Sequence, residues 1–391
     1  MTHLENDPDH IRKNAMITRS VLLLLVVIAG FSAALTESPL AKTSNPTQSL
    51  TPGLHLGFGT FAPISQDQAP VLDLRVAEAV AAGMDVARVM VDWAEFETAN
   101  GEYDWSTIND QVERIPKHAA LFLTFSITDV DHYSVPGDLL TADQQLATPL
   151  NTPDVIERYT DALSEFLPSL VSEHELFAVS VANEPDVLLA DRPESEATAL
   201  AEFTTAIGAF LADSFPEVAV SITISGGGVI YPAEFLDDLI AATEVAAFNW
   251  GCIDPASFKV TAASSIPDEI ELLVATAAGR EIIIQELTCA AGYTEGPSTI
   301  GSSEELQATW FDRYFQEMSA NPTFRAAFVF DLIDWPEDLA KTYSDFLRAE
   351  GLDDIADRYE ELQRTWGLLT FDDLEAKPAW STFIAALKSQ K

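Results

Sequence analysis

Basic residues are scarce in this chain: 21 Lys and Arg stand against 62 Asp and Glu in 391 residues, a net charge of −41. A phosphate-gripping surface needs clustered cations, so nucleic acid is excluded as a partner, and an anionic membrane surface with it. Cysteine is nearly absent, with only Cys252 and Cys289. Two cysteines cannot staple a small disulfide-rich domain, and no zinc-type spacing exists, so no metal site is predicted. No glycine-rich dinucleotide loop occurs, and no cofactor is implied. Long apolar runs are missing too, apart from Val21 to Leu35. At about fifteen residues this run falls short of the ~20 that span a bilayer.

What is present begins with that run. Arg12, Lys13 and Arg19 precede it, and Ser32, Ala33 and Ala34 supply small residues for cleavage. Residues 1–35 therefore read as a signal peptide or an uncleaved N-terminal anchor, with Met16 a candidate true start. Both readings export the rest of the chain, to a secreted, extracellular or periplasmic place. They also confine membrane contact to this segment. No cysteine stands directly after the run, which argues against a bacterial lipid anchor. Residues 36–53, rich in Ser, Thr and Pro, read as a linker. Beyond it the acids are spread rather than gathered in a tail, so the whole surface is negative. Such a surface fits a protein adapted to high salt, where screening relieves self-repulsion. The melting temperature is expected to rise with added NaCl; full stability in dilute buffer would count against that adaptation.

The whole chain is 47% apolar, and residues 54–391 alternate short apolar runs with amphipathic, helix-length segments. The runs Leu54 to Gly59, Val86 to Val91, Ala119 to Phe125, Phe177 to Ala182, Val218 to Ile224, Val245 to Phe248, Ile282 to Ile284 and Ala326 to Phe330 predict eight strands. Each is predominantly apolar, as strands buried on both faces are. Eight β-then-α units in series predict a single-domain α/β fold, a closed (β/α)8 TIM barrel. An open doubly wound sheet is the alternative. The acidic stretch from Trp335 to Arg364, helical in pattern around Ser344 to Gln363, reads as a helical insertion after strand eight.

A barrel of this kind works at the C-terminal ends of its strands. Those ends carry Asp92 and Trp93, Asp129 to Tyr133, Asn183 and Glu184, Asn249 and Trp250, Gln285 and Glu286, and Asp331, Asp334 and Trp335. Carboxylates and aromatics with few cations suit a neutral polyol. Aromatic faces stack on the C–H face of a sugar, and carboxylates accept its hydroxyl protons. Cleaving a glycosidic bond needs two carboxyl groups, one protonated and one ionised. Glu184 and Glu286 end strands that lie across the barrel mouth from each other, so they meet that need.

These residues resemble glycoside hydrolase clan A, the barrel enzymes that include families 5, 39 and 42. The resemblance rests on Arg88 in strand two, Asn183-Glu184 ending strand four and Glu286 ending strand seven. It covers nearly everything after residue 54, together with Gly101-Glu102-Tyr103-Asp104-Trp105 and Lys377-Pro378-Ala379-Trp380. It implies a monomeric retaining glycosidase acting on β-linked carbohydrate by double displacement. Glu184 is then the acid/base and Glu286 the nucleophile. Arg88, Asn183, Trp93, Asn249, Trp250, Asp334 and Trp335 are then substrate-site residues. A transglycosylase using the same pair and a non-catalytic carbohydrate-binding barrel remain as alternatives. One departure stands out. The clan commonly has a Tyr after strand six that bonds the nucleophile; here Phe248-Asn249-Trp250-Gly251 occupies that stretch. Asn249, or a Tyr from elsewhere such as Tyr293, is left for the role. Cys252 and Cys289 follow adjacent strands, within disulfide reach if their Cβ vectors agree; two buried thiols are the alternative.

Overall fold

The computed structural model describes residue 50 and residues 53–60, 64–255, 259–296, 299–349, 351 and 353–390. The apolar run, Met16 and nearly all of the linker lie outside the described residues. No described helix is long and apolar enough to cross a membrane.

Eight strands build the centre: β1 (His55–Thr60), β2 (Val86–Asp92), β3 (Ala120–Ser126), β4 (Leu176–Asn183), β5 (Ala219–Ile224), β6 (Ala246–Gly251), β7 (Ile282–Thr288) and β8 (Phe324–Asp331). They pair in parallel in the order β1-β8-β7-β6-β5-β4-β3-β2. Packing of β1 against β2 closes the ring. The seam is tight: a Cβ added at Gly57 would lie 2.2 Å from the Val86 carbonyl oxygen, so only glycine fits there. The fold is a (β/α)8 barrel.

Helices α1 (Ala69–Ala82), α2 (Ser106–Val112), α3 (Pro153–Glu173), α4 (Glu194–Ser214), α5 (Leu236–Ala241), α6 (Ile266–Thr276) and α7 (Glu304–Ala320) follow strands one to seven. In α3, Pro153 opens the helix, and Val155, Tyr159, Ala162, Leu163, Phe166, Leu167 and Leu170 are buried at helical spacing. Burying such large side chains contributes about 1.5–3 kcal/mol each. A second, smaller cluster fills the barrel itself: Val86, Ala120, Phe122, Ala178, Ala247, Ile283, Ala326 and Phe328. Phe122 and Phe328 stack there with centroids 5.9 Å apart. This plug makes the barrel a packed floor beneath the mouth.

After β8 the chain inserts α8 (Glu337–Ala349) and α9 (Asp353–Gln363) before the closing α10 (Pro378–Ser389). The sequence pattern predicts one helical stretch there; the structure has two. The break falls at Gly351, whose φ of 76° is left-handed. Arg348 clips the pair, donating to Asp357 at 2.7 Å and Glu360 at 2.8 Å.

Cys252 and Cys289 sit one residue past β6 and β7, with Cα atoms 5.0 Å apart, and form a disulfide. Neighbouring parallel strands bring them together although 37 positions separate them in sequence. In the chain-entropy account a loop of this length stabilises by ~4 kcal/mol. Reduction is therefore expected to lower stability by about 2–4 kcal/mol, read as a fall in denaturation midpoint with dithiothreitol. An unchanged midpoint would show that the bond does not constrain the unfolded chain.

Candidate active site

Two irregularities in the strands aim the central side chains. Between β6 and β7, Phe248 pairs with Ile284 but Asn249 with Glu286, so Gln285 is an extra residue in β7. Between β4 and β5, three steps from Ser180 to Asn183 match two from Ser221 to Thr223. Such bulges bend a strand and re-aim its side chains. They let consecutive residues, Gln285 with Glu286 and Asn183 with Glu184, serve the mouth together, which a regular two-residue alternation forbids.

Gln285 is fully buried and ties five strands together. Its Oε1 accepts from the hydroxyls of Thr124 and Thr223, 2.6 Å each. Its Nε2 donates to Asn183 Oδ1 at 2.8 Å and to Asn249 Oδ1 at 3.3 Å. Asn249 in turn donates to Glu184 Oε1 at 2.9 Å and Asn183 Oδ1 at 3.2 Å. The network is satisfied at nearly every atom, so it holds Glu184 in one place. Sequence reading missed Gln285, Thr124 and Thr223. Their signal was there: polar residues inside otherwise apolar strands need buried partners.

Glu184 itself has φ 48° and ψ 42°, a left-handed conformation rare outside glycine. Its N–H donates to the Thr223 carbonyl at 2.8 Å, and Pro185 starts a short helical turn directly after it. Strained backbone of this kind persists where surrounding structure over-determines it. Here Asp186 supplies the next anchor, accepting from Ser225 N–H at 3.0 Å and the Ser225 hydroxyl at 2.6 Å.

Glu286 is held differently. Arg88 Nη1 donates to its Oε1 at 2.6 Å, and both side chains are buried. Arg88 reaches there through the space that Gly59 leaves on β1. A Cβ at Gly59 would lie 2.7 Å from Arg88 Nε and 2.8 Å from the Phe330 carbonyl oxygen. Gly59→Ala is therefore expected to push the guanidinium aside. A displacement of about 1 Å in a site of this kind costs on the order of 10²-fold in rate. Steady-state kinetics on any turned-over substrate reads it, and an unchanged rate would mean that Arg88 placement is not limiting.

The two carboxyls therefore have opposite surroundings. Burial pushes Glu184 well above the ordinary carboxyl range, and the charges of Glu286 and Asp186 push it further. The Asn249 bond only partly opposes this. Burial also raises Glu286, but Arg88 works against it by charge and by hydrogen bond. When one of the two carries a charge, it is Glu286, and Glu184 keeps its proton. Among the described residues Glu184 Oε2 has no hydrogen-bond partner, which leaves it available to a ligand.

Glu184, Glu286, Asn249 and Trp250 line one cleft, with about 870 Å³ of empty space that includes open solvent. Arg88 and Asn183 stand behind it. Three expected substrate residues are placed elsewhere. Trp93 is fully buried, edge-on to Tyr159, with its N–H on Glu97 at 2.8 Å, so it is core. Asp334 is bound by Lys377 at 2.6 Å and by the Gly367 N–H at 2.8 Å, and anchors the chain before α10 instead of facing the cleft. Trp335 donates to Asp331 at 2.7 Å, and its ring is covered by Trp366 and by Tyr343 of α8. The insertion, predicted from its pattern but not in its packing, buries the ring through Tyr343. Asn249 bonds Glu184, not Glu286, so it does not fill the place of a tyrosine on the nucleophile. Two tyrosines do line the cleft, Tyr293 and Tyr359. Tyr359, from α9, is buried near both glutamates, and burial followed by their charges raises its pKa well above 10. Sequence reading missed Tyr359 because only tertiary packing carries α9 back over the mouth.

A closed eight-stranded barrel with a glutamate ending β4, a glutamate ending β7 and an arginine from β2 beneath the second has the fold of clan A glycoside hydrolases. Among solved structures the chain is similar to a GH5_18 protein from Streptomyces cattleya in complex with GlcNAc, at 16% identity and TM-score 0.60, over 86% of this chain and 81% of that one. It is similar to a GH5_18 protein from Bifidobacterium longum subsp. infantis at 13% identity and TM-score 0.59, over 87% of this chain and 80% of the other. A GH2 beta-galacturonidase from Eisenbergiella tayi bound to galacturonate aligns at 13% identity and TM-score 0.51, where 86% of this chain matches 51% of that one. At these identities the likeness establishes a shared fold. No protein-family model and no curated protein matches the sequence.

Proposed function

We propose that this protein is a retaining glycoside hydrolase acting on a β-linked glycoside, with Glu286 as nucleophile and Glu184 as acid/base. The observation that carries the reading is the contrast between the two cleft glutamates: Glu286 on Arg88 at 2.6 Å, Glu184 buried without a cation and bonded to Asn249 at 2.9 Å. Glu286 attacks the anomeric carbon while Glu184 gives its proton to the leaving oxygen. The glycosyl ester that forms removes the charge on Glu286. Glu184 then loses that repulsion, its pKa falls, and it takes a proton from the attacking water. The disulfide accords with export into an oxidising compartment, which belongs to the same proposal. The GH5_18 and GH2 structures of this fold, one solved with GlcNAc and one with galacturonate, support a carbohydrate substrate.

Purified protein tested on a panel of β-glycosides is expected to release sugar whose anomeric configuration, followed by NMR from the first turnover, is that of the substrate. Inversion would reject the double displacement. No release from any member of the panel would reject the hydrolase.

A further inference from the structure

The mouth of the barrel divides into two chemically different halves. On the side of β2, β3 and β8 stand the acids Asp92, Asp129 and Asp331. Oδ1 of Asp92 and Oδ1 of Asp129 are buried without a hydrogen-bond partner among the described residues. Burial, and after it the charges of Asp92, Glu184 and Glu286, raise the Asp129 pKa. Such oxygens await hydroxyl donors.

The other half is formed by β5, β6, β7 and α9. Away from Glu184, Glu286, Tyr293 and Tyr359 its exposed wall is largely apolar: Gly226, Trp250, Ile253, Pro255, Leu362 and the Cys252–Cys289 disulfide. The polar groups on this wall are mostly committed to the protein. The Ser225 hydroxyl donates to Asp186 and accepts from the Gly228 N–H. The Trp250 N–H donates to Glu269 at 3.0 Å. The Asn249 amide is spent on Glu184, Asn183 and Gln285. The Thr288 hydroxyl has no partner among the described residues and is one group that can bond a ligand. Away from the two glutamates, a sugar ring seated here would bury hydroxyls that meet few uncommitted partners, and unpaired buried polar groups cost affinity. An alkyl or aryl group meets no such penalty and covers apolar wall.

Glu184 lies on the boundary between the halves, and its partnerless Oε2 is the atom free to meet the bond being cut. Resting on the glycosidase reading above, we infer that the substrate joins a sugar, held over the acidic half, to an apolar aglycone, alkyl or aryl, held in the apolar half. In the first step the bond from the anomeric carbon to the aglycone oxygen breaks. Glu286 forms an ester to that carbon, and the proton of Glu184 leaves with the alcohol or phenol. In the second step water returns a proton to Glu184 and a hydroxyl to the sugar.

The test uses methyl, butyl and octyl β-glycosides of one glycone, with the matching β-linked disaccharide. These alkyl leaving groups differ little in acidity, so the series reads burial alone. For each of glucose, galactose and mannose as glycone, calorimetry is expected to show octyl binding at least tenfold tighter than methyl, and the disaccharide no tighter than methyl. Where a glycone is turned over, kcat/KM is expected to rise along the alkyl series by the same factor. Leu362→Asn is expected to bring the octyl-to-methyl ratio close to one. Equal octyl and methyl binding with every glycone, a preferred disaccharide, or a ratio untouched by Leu362→Asn would overturn the inference. Octyl preference in binding without turnover of any glycoside would instead remove the hydrolase reading and leave the apolar site standing.

Discussion

Glu286→Gln is expected to lower kcat by about 10³-fold or more, equivalent to ~4 kcal/mol of transition-state stabilisation. The amide cannot form the glycosyl ester, and the neighbouring Arg88 loses the charge it holds at 2.6 Å. The fold should survive, because Gln retains an acceptor for Arg88 and nearly the volume of Glu. Circular dichroism checks the fold, and kinetics on the best glycoside checks the rate. Wild-type turnover by a folded Glu286→Gln protein would sink the assignment of the nucleophile.

Glu184→Gln is expected to show a loss that depends on the leaving group. General acid catalysis contributes about 10²–10⁴-fold, so alkyl and sugar leaving groups should suffer by that much. An acidic phenol departs without a proton and should suffer far less in the first step. The pH profile gives a second reading. Burial and the charges of Glu286 and Asp186 raise the Glu184 pKa, so kcat/KM of the wild type should fall as pH rises through that value. In Glu184→Gln that basic limb should vanish. A variant with uniform loss across leaving groups and an intact basic limb would show that another group is the acid.

The same shift has a sign for stability. A carboxyl whose folded pKa is raised favours the folded state below its unfolded pKa and loses that contribution as pH rises through the folded pKa. At higher pH the folded chain carries Glu184 as a buried charge beside Glu286 and Asp186. Glu184→Gln removes that charge. The variant should therefore melt above the wild type at alkaline pH, and the gap should close in acid.

Much of this site was legible because barrels impose order on short apolar runs. Eight such runs with helices between them fix the sequence of strand ends, and strand ends are where side chains meet the cleft. Arg88, Asn183, Glu184 and Glu286 could be named on that ground. Trp93, Asp334 and Trp335 follow the same strand ends, yet the cleft does not take them. Trp93 and Trp335 are large apolar rings that pack where partners exist, Tyr159 for one and Trp366 for the other. Asp334 has Lys377 within 2.6 Å, a partner 43 positions away that no local pattern reveals.

The two glutamates and the barrel that presents them are thus set by the sequence itself, through apolar periodicity and the polar residue that ends each run. Tertiary structure decided the rest. It set the bulges that aim Gln285 and Glu286 together, the gap at Gly59 that admits Arg88, the return of Tyr359 over the mouth, and the division of the mouth into acidic and apolar halves. The physical reason is range. Periodicity and strand ends are read over a few neighbouring residues. A bulge, a glycine gap or a cleft wall is defined by contacts between strands and helices far apart in the chain, and their relative placement fixes which side chains share a space.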